Sequence, residues 1–144
     1  ENAKLLVVGV DDGAKCLEII ETAQKHFPDL KILARAIDRR HAYKLLEKNI
    51  SGFRRETFES ALKLGRDALS VLGMDDKKIE HVSNLFAAHD EESLEKLAEL
   101  WGDDKSYGVA VRQRMEDLDH VLSNDEIEFA SGRDSAREII KKMD

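Results

Sequence analysis

At 144 residues the chain is about one domain long, enough for a single core burying on the order of two-thirds of the surface its unfolded form exposes. With 42% apolar and 37% charged residues it reads as a globular chain, not a disordered or membrane-spanning one. A net charge of -7, from 23 basic and 30 acidic side chains, argues against nucleic acid as a partner, which calls for a basic surface. The single cysteine, Cys16, excludes an intrachain disulfide and suits a reducing compartment. The longest apolar run, Leu5–Val8, is too short for a secretory signal or a membrane helix.

Lys4–Val10 is apolar after its first residue and rich in Val, the pattern of a strand buried on both faces in a parallel sheet layered between helices. Asp11-Asp12-Gly13 supplies a turn and helix N-cap residues. Leu17, Ile20, Ala23 and Phe27 then recur at helical spacing through Ala14–His26, and Pro28-Asp29 stops the helix. Lys31–Ile37 predicts a second strand, Asp38 a turn, and Arg40–Lys48 a second helix with Ala42, Leu45 and Leu46 inward. After Asn49-Ile50-Ser51-Gly52, Phe53-Arg54-Arg55 suffices for a short third strand. Strand, helix, strand, helix, strand with such short connections means right-handed βαβ units and a parallel sheet. The predicted fold class is therefore α/β, a partial doubly wound parallel sheet followed by a helical C-terminal region.

From Thr57 the period changes. Phe58, Ala61, Leu62, Ala68, Leu69 and Leu72 follow one helical stripe, ended by Gly73 at a C′ position. Asp75–Trp101 contains neither Gly nor Pro, and its apolar residues Ile79, Val82, Phe86, Leu94, Leu97 and Trp101 recur every three to four positions. His89, Asp90 and Ser93 place a polar break in that stripe. Val111, Met115, Leu118 and Leu122 mark a last amphipathic helix. These shifts divide the chain into residues 1–73, half of a doubly wound unit; 74–130, a helical region; and 131–144, a weakly anchored polar tail. A three-stranded parallel sheet with buried-type strands and no cover for one edge suggests half of a larger unit, completed by strands upstream or by a second copy.

Ligands of open parallel sheets bind beyond the carboxyl ends of the strands, where Asp11-Asp12-Gly13, Ile37-Asp38-Arg39 and Arg55-Glu56-Thr57 fall. Arg54 and Arg55 stand just before a helix whose first amides and positive dipole end face the same way, a ready site for a carboxylate or phosphate. Pairing of Arg55 with a nearby acid is the plainer alternative. Asp11 and Asp12 serve either as N-caps or as contacts for a ribose or an effector amine. No phosphate-cradling glycine loop occurs. The five histidines include no zinc spacing, no nucleophile elbow is present, and Cys16 reads as a small buried filler. No metal site and no catalytic set is expected.

The run Lys25-His26-Phe27-Pro28-Asp29-Leu30-Lys31-Ile32-Leu33-Ala34-Arg35-Ala36 resembles the second half of the regulatory Rossmann-type domain (KTN, or RCK) of bacterial Kef potassium-efflux systems. Arg55-Glu56-Thr57-Phe58-Glu59-Ser60-Ala61-Leu62-Lys63-Leu64-Gly65-Arg66 carries the same resemblance, which covers roughly residues 1–101. It implies a regulatory domain at the cytoplasmic face of the inner membrane, attached to a K⁺/H⁺ antiporter-like transport domain, and not an enzyme. In that family glutathione holds the system closed and its electrophile adducts open it. The ligand lies between the two protomers of a homodimer.

The resemblance makes Arg55 a glutathione contact, with Arg54 beside it. It also aligns Asp90, after Phe86-Ala87-Ala88-His89, with a ligand-contacting asparagine of the family. An acid there cannot donate a hydrogen bond and repels carboxylates. Asp11, Asp12 and Arg35 fall on the nucleotide-side rim of a parent domain that binds an adenine nucleotide, AMP or NAD(H), as well as glutathione or its adducts. An ancillary flavoprotein resembling quinone reductases is a further implied partner. The stripe Ile79, Val82, Phe86, Leu94, Leu97 and Trp101 is expected either to form the dimer interface or to pack within one chain. A purely structural dimerisation module and a truncated NAD-linked dehydrogenase are the competing readings, the second lacking an acid–base pair.

Overall fold

The computed structural model describes the backbone of residues 3–141 and the side chains of residues 3–124. Strand β1 (Leu5–Val8), helix α1 (Gly13–His26), β2 (Lys31–Ala36), α2 (Arg39–Glu47) and β3 (Gly52–Arg55) alternate as the sequence predicts. The three strands form a parallel sheet in the order β1-β2-β3, with Val7 beside Leu33 and Ala36 beside Arg55. Asp12 caps α1 by accepting from the amides of Ala14 and Lys15 at 2.8 and 3.0 Å. Asp38 caps α2 through the amide of His41 at 2.7 Å. Both aspartates satisfy amides that the first helical turn leaves unpaired.

The core is built on one face of the sheet. Val8, Ile32, Ala34 and Ala36 bury against Cys16, Ile20 and Ala23 of α1 and Ala42, Tyr43 and Leu45 of α2. The expectation of strands buried on both faces is corrected here: Leu5, Val7 and Leu33, which alternate with the buried residues, are exposed. Right-handed crossovers between strands added in one direction put α1 and α2 on the same side, so neither can cover the other face. Phe27, expected to extend the apolar stripe of α1, is instead its exposed C-cap residue.

Three helices follow: α3 (Phe58–Val71), α4 (Asp76–Ala98) and α5 (Asp104–Lys141). Gly73, at φ 85°, takes the left-handed conformation that closes α3, and the Met74 amide returns to Leu69 O at 3.1 Å. Phe58, Leu62 and Leu69 of α3 are half-buried, whereas Leu72 is exposed. Helix α4 is continuous through its polar middle and packs on α2, α3 and α5. Helix α5 runs well beyond the apolar stripe that announced it, and the weak anchoring expected of residues 131–144 lies outside the residues whose packing is described. Among the described residues no helix is long and apolar enough to cross a membrane.

The stripe on α4 is divided between two roles. Ile79, Leu94 and Leu97 are buried in the chain's own core at 5–6% exposure, which leaves them little surface for a partner. The reason is geometric: α4 packs against α2, α3 and α5 at once, so these residues are enclosed within the chain. Val82 is half-buried, and Phe86 and Trp101 keep more than a third of their surface. Trp101 also packs against Tyr43, tilted, and Tyr107, edge to face, both with ring centroids at 5.3 Å.

Candidate functional site: a carboxylate held between two arginines

Alternation along β3 sends its two arginines to opposite faces. Arg55 follows the covered face, in register with Ala36, while Arg54 lies beside Arg35 on the uncovered face. The two guanidiniums therefore do not act as a pair. Arg54 is exposed and folds back to donate to Phe53 O at 3.0 Å. Arg55 is only 16% exposed at its side chain and makes an ion pair with Oδ2 of Asp90. Its guanidinium also lies over the Phe58 ring, 3.9 Å from the centroid, a cation–π contact that fixes its direction. The first turn of α3 has no side-chain cap at Thr57.

Asp90, on the middle of α4, has a second cationic partner. Arg39, at the start of α2, donates to Asp90 Oδ1 at 2.8 Å, so each carboxylate oxygen meets its own guanidinium. Arg39 is held from behind, because its Nε donates to the Tyr43 hydroxyl at 2.9 Å, and that hydroxyl lies 3.1 Å from the hydroxyl of Tyr107 on α5. Burial works against the charge of Arg39, but its hydrogen bonds to Asp90 and Tyr43 outweigh this and raise its pKa. Burial, followed by the Tyr43 hydrogen bond, pushes the Tyr107 hydroxyl up to about 12. A polar chain thus runs from the β3 rim through α4 and α2 to α5.

Cavities open on either side of this clamp. One, of about 470 Å³, lies among α2, β3, α3 and α4 and is lined by Arg55, Glu59, Glu91, Glu95, Leu45 and Leu94 among others. The other, of about 260 Å³, lies between α4 and α5 and is lined by Arg39, Asp90, Phe86, His89 and Arg114. Arg114 donates to Ser93 Oγ at 2.8 Å and pairs with Glu92 at 2.9 Å. Hydrogen bonds from Lys96 and Arg114 hold the Glu92 carboxyl at about 2.

The remaining rim residues sit apart from the clamp. Asp12 serves as the α1 N-cap, and Asp11 pairs with Arg35, whose guanidinium also approaches Glu56 at 3.9 Å. Cys16 is fully buried, and burial pushes its thiol pKa up. Among the described residues no group of His, Cys, Asp or Glu side chains could hold a metal ion.

Arg55 pairs with an acid of its own chain, Asp90, which is the plainer of the two alternatives its position offered; the resemblance made each residue a ligand contact and did not join them to each other. Arg39 was placed on the ligand rim by its position after β2 but was not singled out, and Tyr43, Tyr107 and Arg114 were missed. The i, i+4 spacing of Arg39 and Tyr43 on a helix was the one signal that could have joined two of them.

An open parallel sheet with charged residues beyond its carboxyl edge, followed by long helices that carry further charge to the same rim, defines an α/β domain with a helical extension. The chain belongs to the family of the potassium efflux system KefB C-terminal domain, whose family model matches residues 60–138. It is 36% identical over 124 residues to the glutathione-regulated potassium-efflux system protein KefC of Enterobacter sp. (strain 638), covering 85% of this chain and 20% of that protein. It is 35% identical over 118 residues to the KefC protein of Klebsiella pneumoniae (strain 342), covering 82% and 19%. The chain thus spans about a fifth of the length of these relatives. Among solved structures it is similar to the Shewanella denitrificans Kef CTD in AMP-bound form, at 52% identity and a TM-score of 0.68, covering 70% of this chain and 64% of that one.

Proposed function

We propose that the chain is the ligand-sensing part of a cytoplasmic regulatory domain that gates a K⁺/H⁺ antiporter-like potassium-efflux protein in response to glutathione and its adducts. The observation that carries this reading is the position of Arg55: a largely buried guanidinium at the carboxyl end of a parallel strand, on the wall of a 470 Å³ cavity, where open α/β sheets take their ligands. The relatives' name, glutathione-regulated potassium-efflux system, supports the effector class. The AMP-bound state of the Shewanella neighbour supports an adenine nucleotide on the parent domain, with Asp11, Asp12 and Arg35 on the nucleotide-side rim.

In this reading residues 1–73 form half of the Rossmann-type unit, and residues 74–130 form the sensing and dimerising region. Two protomers meet through Val82, Phe86 and Trp101, the part of the α4 stripe not enclosed by the chain itself. A ligand bridging them stabilises one dimer arrangement and a bulkier adduct another. Gating follows from the difference in affinity of each ligand for the two arrangements. The transport domain at the inner membrane and a quinone-reductase-like flavoprotein are the partners.

Calorimetric titration with glutathione and with a bulky glutathione S-conjugate tests this, comparing the chain with Arg55→Ala. The reading expects heats of binding that fall in the variant; heats unaltered by the substitution would remove Arg55 from the site. For the interface, Phe86→Asp is expected to give a folded monomer by scattering and circular dichroism.

A further inference from the structure

The carboxylate of Asp90 is fully engaged within the chain. Its two oxygens are taken by two guanidiniums on different elements, Arg39 of α2 and Arg55 of β3. Its side chain is 15% exposed and Arg55's is 16%, so the contact is largely removed from water, where charge-assisted hydrogen bonds are strongest. Two planar, donor-rich cations converging on one carboxylate form a recognition geometry for carboxylates in general. Neither arginine depends on Asp90 alone for its orientation: Arg39 is held by the Tyr43 hydroxyl and Arg55 by the Phe58 ring. Arg55 lines one of the cavities described above, and Arg39 and Asp90 line the other, so each arm of the clamp borders open space.

We infer that Arg39 and Arg55 form a two-armed carboxylate site whose resident occupant in this chain is its own Asp90, and that a ligand carboxylate gains the site by exchange with Asp90. The inference rests on the ligand-sensing reading for its biological use, but not for its chemistry. Asp90 then sets the affinity, because a ligand carboxylate must displace an anion already held by both guanidiniums. Because Asp90 is carried on α4, exchange breaks the ionic tie of α4 to Arg39 and Arg55, so occupancy is coupled to the helix that carries Val82 and Phe86.

The test is chemical rescue. In the 144-residue chain, Asp90→Ala removes the resident carboxylate and leaves space between the two arginines. Thermal unfolding is followed in sodium acetate and in sodium chloride at equal ionic strength, for the chain and for Asp90→Ala. The expected result is a midpoint raised by acetate over chloride by about 3–5 °C more in the variant than in the chain. An equal acetate effect on both proteins overturns the inference. Should Asp90→Ala not fold in chloride, recovery of folded protein in acetate replaces the midpoint as the readout, and no recovery overturns the inference.

A second variant, Asp90→Asn, keeps the shape and removes the competing charge. Its affinity for glutathione is expected to rise at least about tenfold; an unchanged or weaker affinity, where the chain itself binds glutathione, overturns the inference. Rescue by acetate with no glutathione binding to either protein upholds the carboxylate site and rejects glutathione as its ligand. Glutathione binding without acetate rescue overturns the carboxylate exchange and leaves the ligand-sensing reading standing.

Discussion

Successive residues of β2 point to opposite sides of the sheet, and the two sides are treated differently. Ile32, Ala34 and Ala36 are 2%, 6% and 0% exposed, whereas Leu33 between them is 40% exposed and its neighbour Val7 in β1 is 65% exposed. Composition does not separate the faces, since both carry aliphatic side chains. The difference arises from topology: two right-handed crossovers in the same direction supply two helices to one face and none to the other. Leu5, Val7 and Leu33 together form an exposed aliphatic row on that face. The covered face is where the chain's own stability resides, and the covered face also carries Arg55 to the ligand rim.

Substitutions on the two faces should therefore cost unequal amounts. Leu45→Ala, which empties a fully buried site between α2 and the sheet, should lower unfolding stability by about 2–5 kcal/mol in urea melts. Arg55→Ala should cost about 1–3 kcal/mol by the same measurement, because it leaves Asp90 with one cation in place of two inside a partly buried clamp. Of these two variants, only Arg55→Ala should alter ligand heats.

A smaller, pH-dependent effect comes from His41 under the covered face. Its ring is buried beside Gly13 and its Nδ1 accepts from the Ile37 amide at 3.2 Å. Burial pushes its pKa below the ordinary 6.5, more than the opposing pull of Asp38 raises it. Burial and Arg114 act in the same direction on His89. A depressed pKa means that the unfolded chain binds the proton more readily. The stability is then fully present above about pH 6.5 and is lost as pH falls below it. Urea midpoints should decline from pH 7.5 to 5.5, and His41→Asn should flatten that slope.

The smallest effect belongs to the open face. Val7→Ser should change the stability of this chain by within about 0.5 kcal/mol while reducing its self-association at high concentration, read by sedimentation. A large loss of stability would mean that the open face is already covered within the chain.

Much of the fold was legible from local signals. The Val-rich run ended by Asp-Asp-Gly marks the first strand, Pro-Asp and Asn-Ile-Ser-Gly mark the ends of the helices that precede the next two, and the order of elements implies the parallel sheet. Gly73 was readable as a helix stop because few other residues tolerate its backbone angle. The site was half legible: strand order and motif single out Arg55 and Asp90, but the ion pair between them closes a separation of 35 residues, beyond any local spacing rule.

What the sequence determined by itself is what depends on neighbours along the chain: hydrophobic period, capping, turn chemistry and the residue types at each strand end. The tertiary structure alone decided which face of each apolar stripe is enclosed, why Ile79, Leu94 and Leu97 turn inward while Phe86 stays accessible, and how Arg39 joins Arg55 on one carboxylate. Those outcomes depend on the packing of α4 against α2, α3 and α5, and a helix in isolation presents every side of its surface equally.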